Sequence, residues 1–185
     1  MDTEILTNEI KKVATLLKAG DRVYLTGTVY TSRDAAHKRI FDAIKNNKPL
    51  PYNIKDAVIY YAGPTQAINS MPIGSCGPTT SSRMDPYAPK LLDMGLAAMI
   101  GKGERNEEVN QAIIRNKAVY FCATGGAGAL ASACIKKAQV IAYDDLGCES
   151  VKMLEIVKFP VVVGVDCFGN DIFKIGRKAF AKVNY

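Results

Sequence analysis

The feature that most constrains this chain is a set of short apolar runs separated by stretches of helical periodicity. Ala57–Ala62, Leu96–Ile100 and Ala118–Ala123 are apolar and short enough to be buried strands. Between them lie helical patterns. Asp85 followed by Pro86 reads as an N-cap and N1 proline, opening a helix through Leu91, Leu92 and Met94 that closes at Gly95. Asn106–Asn116 reads as a further helix, with Glu107 and Glu108 well placed for its dipole, and Gly128–Lys137 as another. Upstream, Thr7 or Asn8 is predicted to cap a helix carrying Ile10, Val13, Leu16 and Leu17 and ending at Gly20. Val23, Leu25 and Val29 alternate with Arg22, Tyr24 and Thr28 as a half-buried strand does. Ser32–Lys45 is predicted helical with Ala36, Ile40, Ala43 and Ile44 on one face, and Asn46–Pro51 is a turn. Toward the end, Val140–Tyr143, Val151–Val157 and Pro160–Asp166 read as strands, followed by a turn at Cys167–Asn170. Alternation in the middle and strands alone near the end predict an α/β layered domain with a mixed sheet. With no repeat, low-complexity tract or linker, residues 1–185 read as one domain.

Polar groups concentrate where such a sheet binds ligands, at strand ends and strand-to-helix junctions. Three segments do so: Thr31–Arg39, Gly74–Asp85 and Gly101–Arg105. The second closes a long Gly/Pro/Ser-rich stretch from Gly63, a length uncommon in a loop without a task. Their shared chemistry is anion recognition: Arg33, Arg83 and Lys102 are long cations beside glycines or hydroxyls, and a guanidinium fork matches a carboxylate. Read one at a time, each is equally an ordinary solvated cation. Thr79, Thr80, Ser81 and Ser82 read first as N-cap hydroxyls; a threonine acts on a proton only where neighbours lower its pKa. His37, the single histidine, reads as a hydrogen-bonded structural residue.

Charge and cysteine usage narrow the class. The net charge of +6 favours an anionic partner, but the 24 basic residues are dispersed and there is no tryptophan. A small anion therefore fits better than nucleic acid. The five cysteines, Cys76, Cys122, Cys134, Cys148 and Cys167, show no C-x-x-C spacing and several sit in apolar runs. They are expected to be buried thiols, with no metal held by this chain. No apolar run is long enough to span a bilayer, and the polar, acidic N-terminus is unlike a secretory signal, so a soluble cytoplasmic protein is expected. Gly126-x-Gly128-x-x-Ala131 follows a strand and opens a helix, as a dinucleotide fingerprint would. Too little chain follows it to complete a dinucleotide-binding sheet, and close helix–strand packing explains the same glycines.

The phrases LTGTVYTSRDAAHKR, YYAGP, GSCGPTTSSRMDPY, GKGERN, YFCATGGAGAL and FPVVVGVDCFGNDIF occur in one order from about Gly20 to Phe173. Together they resemble the C-terminal domain of class I, iron–sulfur fumarases, which in many archaea and bacteria is a separate β subunit. The resemblance implies a swivelling β/β/α domain and an α-subunit partner carrying a [4Fe–4S] cluster, in a hetero-oligomer such as α2β2. It implies substrate-binding roles for Arg33, Arg83 and Lys102 on a dicarboxylate, fumarate or malate. It also implies that Thr79, the first threonine of GPTT, removes a proton from malate and returns one in hydration. The L-tartrate dehydratase β subunit is similar too, but typically carries TCRDVCHRR-like and KGGMG-like segments. Here Arg33-Asp34-Ala35-Ala36-His37 and Lys102-Gly103-Glu104-Arg105 follow the fumarase form. Mesaconate, the methyl homologue of fumarate, is a further substrate that the resemblance allows.

Overall fold

A computed structural model describes residues 3–67 and 70–181. Seven strands form one sheet: β1 (Thr3–Leu6), β2 (Arg22–Thr31), β3 (Val58–Tyr60), β4 (Ala98–Gly101), β5 (Val119–Cys122), β6 (Ile135–Ala142) and β7 (Val151–Val165). Strands β1 to β5 lie side by side and parallel in chain order. β7 runs antiparallel, pairing with β2 from Arg22↔Val162 to Thr31↔Lys152. Its other edge pairs with β5 near Val162–Val165 and with β6 along Val151–Ile156. The path β2–β3–β4–β5–β7 therefore returns to β2 and closes on itself.

Two apolar layers follow from the alternation of side chains along the parallel strands. Tyr60, Ile100 and Phe121 point inward, meeting Leu25, Val29, Leu154, Ile156 and Val163 between the two sheet faces. Their neighbours Ile59, Tyr61, Met99 and Tyr120 point outward, against Ala36 and Ile40 of α2 (Asp34–Lys45), Leu91 and Leu92 of α3 (Ala88–Asp93), and Val109 and Ile113 of α4 (Glu107–Asn116). The arrangement is the layered β/β/α order with a mixed sheet. Each fully buried Leu or Ile in these layers stabilises the fold by roughly 1.5–3 kcal/mol.

Several elements depart from the sequence reading. β1 was not expected: only Ile5 of its four residues is buried, too little for a visible alternation. The helix expected from Thr7 to Gly20 is broken into a 3₁₀ turn, a single α turn α1 (Ile10–Val13) and a second 3₁₀ turn, with no side-chain cap from Thr7 or Asn8. The helix expected at Asp85–Gly95 starts only at Ala88, because the Asp85 carboxylate is engaged elsewhere. The helix expected over Gly128–Lys137 stops at Ala133 as α5 (Gly128–Ala133); Ile135 is buried and pairs with Ile156, so strand formation overrides helix propensity. The two terminal strands are one fifteen-residue strand. They join at a bulge where Val157 and Lys158 face Thr26 alone; Lys158 has a φ of 50° and its N–H is taken by the Thr26 hydroxyl at 2.9 Å. A helix α6 (Ile172–Phe180), with none of its residues fully buried, follows the expected turn. The helix expected at Asn106–Asn116 forms as α4 from Glu107, with the Asn106 side chain capping it by accepting the Val109 N–H at 2.9 Å.

Candidate active site

The C-terminal ends of β2, β3, β4 and β5 share one edge of the parallel sheet, and each ends in a segment singled out by sequence. β2 delivers Ser32, whose N–H reaches the Tyr60 carbonyl at 3.2 Å, and then Arg33 in extended backbone before α2. The Arg33 side chain crosses Gly63, just beyond β3. A Cβ there would fall 2.5 Å from Nη1 and 2.9 Å from Cδ, so a side chain at this position would push the guanidinium aside. Arg33 Nη2 lies 3.7 Å from Asp34 and 3.5 Å from Glu149, and its Nε is buried with no hydrogen-bond partner. Glu149 also accepts the Ala35 N–H at 2.9 Å, so a turn far along the chain holds the start of α2. Arg83 reaches the same place: its Nε–H donates to Asp34 Oδ1 at 2.9 Å, and half of its side chain is exposed.

The long stretch from Gly63 is stitched at its base. Thr65 N–H donates to Ser75 O at 3.0 Å, Tyr60 O–H to Cys76 O at 2.6 Å and Cys76 N–H to Gly128 O at 3.0 Å. Ala62 then bridges Pro78, the Thr79 N–H donates to the Tyr61 carbonyl at 2.7 Å, and Thr80 bridges Lys102. Half-buried Thr79 thus sits between the extensions of β3 and β4, next to the Lys102 backbone. The Lys102 side chain lies over Gly125, after β5; a Cβ there would be 3.5 Å from Nζ. The structure therefore joins Arg33 and Arg83 through Asp34, and joins the Thr79 and Lys102 segments through the Thr80 bridge, all on one edge. With Asp34 and Glu149 counted, the three cations leave one net positive charge.

A buried polar layer lies beneath. Arg105 Nε–H donates to Asp85 Oδ1 at 2.7 Å, and Asp85 Oδ2 accepts the Asn106 N–H at 2.9 Å. The Arg105 guanidinium rests over the rings of Tyr61 and Tyr120, 5.3 and 5.1 Å from their centroids. The Tyr120 hydroxyl lies 2.8 Å from both Gly103 O and Ser81 Oγ, donating to the carbonyl and sharing a hydroxyl–hydroxyl bond with Ser81. Burial pushes this phenol well above its usual range. The layer thus supports the Ser81–Met84 turn that carries Arg83. His37 is fully buried against the rings of Tyr61 and Tyr87. Its Nδ1 lies 2.9 Å from Arg33 O, and since a carbonyl only accepts, Nδ1 carries the proton and Nε2 is left unpartnered. Burial brings its pKa down to about 4.

Gly63, Asp85, Arg105 and Glu149 went unremarked as site residues in the sequence reading. Arg105 stood inside a polar segment, but spacing does not distinguish a buried arginine from an exposed one. The glycine-rich turn is accounted for by packing: a Cβ on Gly128 would sit 2.2 Å from Ser75 Oγ and 3.1 Å from the Gly77 nitrogen. That space is filled by protein, and α5 has only six residues, so the dinucleotide alternative has no phosphate cradle here. Burial raises the Cys76 thiol to about 12 and pushes Cys122, Cys134 and Cys167 upward. Among the described residues no three His, Cys, Asp or Glu side chains are grouped to hold a metal ion. A groove of about 390 Å³ lined by Pro64, Ile73, Val140, Cys148 and Lys152, among others, includes none of Arg33, Thr79, Arg83 or Lys102. Among the described residues no helix is long and apolar enough to cross a membrane.

Residues 1–176 match the family described as Fumarase C-terminus. The chain is 41% identical over 155 residues to the anaerobic class I fumarate hydratase of Escherichia coli K12, covering 83% of this chain and 28% of that protein. It is 39% identical over 155 residues to the mitochondrial fumarate hydratase 1 of Leishmania major, with the same coverage of 83% and 28%. A Methanocaldococcus jannaschii protein provisionally named L(+)-tartrate dehydratase subunit beta is 36% identical over 181 residues, 94% of this chain and 93% of that protein. The chain thus spans under a third of the two fumarate hydratases and nearly all of the third relative.

Proposed function

The chain belongs to the Fumarase C-terminus family, and from that premise we propose that it is the β-type half of a two-chain hydro-lyase interconverting (S)-malate and fumarate. One observation carries the reading: Arg33, Arg83, Thr79 and Lys102 stand on one edge of the sheet, with half of the Arg83 side chain exposed. Such an arrangement suits the gripping of a dicarboxylate against a second surface. In dehydration the Thr79 oxygen accepts the C3 proton of malate, the electron pair of that bond forms the C2–C3 double bond, and the C2 hydroxyl leaves as water on receiving a proton from an acid that this reading assigns to the partner subunit. Hydration reverses these events. Arg33, Arg83 and Lys102 hold the carboxylates, and their field favours the deprotonated Thr79 oxygen.

The relative named as a beta subunit supports an α-type partner, and a hetero-oligomer such as α2β2 is the assembly this reading expects. The [4Fe–4S] cluster of such an enzyme belongs in this reading to that partner, because the thiols here are not grouped to hold one. Five free cysteines fit a reducing, cytoplasmic setting. Fumarate is preferred on the Arg33–His37 and Lys102–Arg105 sequences. Tartrate is the second reading, favoured by the near end-to-end match to the Methanocaldococcus jannaschii protein. Co-expression with the α-type chain and anaerobic assay on fumarate, tartrate and mesaconate decides between them. Thr79→Ala is expected to lower kcat by about 10²–10⁴-fold with assembly intact. Wild-type turnover in that variant would remove the proton-transfer role, and an assembled enzyme inert toward all three acids would remove the reading.

A further inference from the structure

We infer that Asp34 is a positioning residue of this site, fixing the two guanidiniums relative to each other and keeping the outer fork of Arg83 free for an incoming carboxylate. The inference rests on the proposed function for what the arginines bind, and on geometry alone for what holds them. Asp34 is the first residue of α2, a twelve-residue helix, so its carboxylate projects from a rigid element. That helix is anchored to the Asp144–Glu149 turn by the Ala35 N–H to Glu149 bond at 2.9 Å and by the Arg39–Asp145 pair. An acid in the first turn ordinarily serves the helix itself by capping. Here no side-chain cap is made at the start of α2, and the Asp34 contacts go to arginines instead.

The contact to Arg83 is selective in its atoms. Asp34 Oδ1 takes the Nε–H at 2.9 Å, leaving both terminal nitrogens of a half-exposed side chain for a two-pronged grip. Without that bond a long, half-exposed arginine samples many rotamers, and holding it still is charged against substrate binding. Asp34 Oδ2 is buried without a hydrogen bond, 3.7 Å from Arg33 Nη2. One carboxylate therefore separates two like charges that would otherwise repel, and sets the distance between them.

The test uses the chain assembled with its α-type partner, carrying Asp34→Ala or Asp34→Asn, each alone and combined with Arg83→Ala. Asp34→Ala is expected to raise KM for the dicarboxylate about tenfold, the loss of one charge-assisted hydrogen bond, with a smaller change in kcat. Asp34→Asn keeps an acceptor for Nε–H but not the charge, and is expected to recover part of that loss. In the Arg83→Ala background, Asp34→Ala is expected to add under about twofold, since the two act as one unit. Equal penalties in both backgrounds, or Asn as damaging as Ala, would overturn the inference. A wild-type KM in Arg83→Ala sinks the substrate-binding reading instead, and a second measurement then decides the positioning claim. In ¹⁵N-edited spectra of the full chain, the Arg83 Nε–H signal should shift and exchange faster in Asp34→Ala; an unmoved signal overturns it.

Discussion

Acid should destabilise this protein through one side chain well before its carboxylates are protonated. His37 is fully buried between Tyr61 and Tyr87, and its pKa is brought to about 4 from the ordinary 6.5. Burial is the main cause; the Nδ1–H bond to Arg33 O works the other way, Arg105 nearby lowers the value and Asp34 raises it. The folded ring therefore stays neutral where the unfolded chain already binds a proton. The stability tied to the neutral ring is complete above pH 6.5 and is lost as pH falls toward 4. A difference of two to three units corresponds to about 3 kcal/mol when fully developed, of which roughly 2 kcal/mol is already lost at pH 5. Urea denaturation at intervals from pH 7.5 to 5 measures it, with His37→Gln as a variant that cannot titrate. The wild type should lose about 2 kcal/mol more than the variant over that range. Parallel pH profiles for the two proteins would refute the reasoning, because the proton would then enter without opening the core.

The buried pair beneath the site gives a second expectation: Asp85→Ala strands the Arg105 charge and should cost about 3–5 kcal/mol. A thermal melt should fall by at least about 6 °C in a chain of this size, and a loss under about 2 °C would show that the pair is not held in the interior. Gly128→Ala places a methyl 3.1 Å from the Gly77 nitrogen, so the backbone leading to Thr79 must move by a few tenths of an ångström. Steady-state kinetics of the assembled enzyme should show kcat lowered about tenfold with KM changed less, and an unaltered kcat would free Thr79 from that contact.

The parallel half of the fold was legible because its signals are local. β3, β4 and β5 read as short apolar runs, and α4 announced itself by Asn106 and its acids. What failed was set by partners remote in sequence. Ile135 is helical by local pattern, yet its pairing with Ile156 makes it a strand. Asp85 beside Pro86 has the form of a cap, yet Arg105 and the Asn106 N–H claim its two oxygens. Lys158 joins two apparent strands because Thr26, 132 positions away, receives its N–H. The same division runs through the site. Arg33, Thr79, Arg83 and Lys102 stood out as polar groups at junctions, whereas Gly63, Asp34 and Glu149 matter through what lies across the edge from them. No spacing rule encodes that.

The closing strand also orders events in time. Ribosomal synthesis proceeds from β1 toward β7, so the element that pairs with β2, β5 and β6 is the last of the sheet to emerge. Until it does, those three strands each lack a neighbour, and a nascent chain carries bare edges of the kind that recruit other chains. Once Val151–Val165 docks, β2 and β5, which bear Arg33 and the Gly125 turn on opposite flanks, hang from a single ribbon. Alignment of the Arg33 and Gly125 flanks and completion of the fold then arrive in the same step, and a nascent chain short of β7 would have neither.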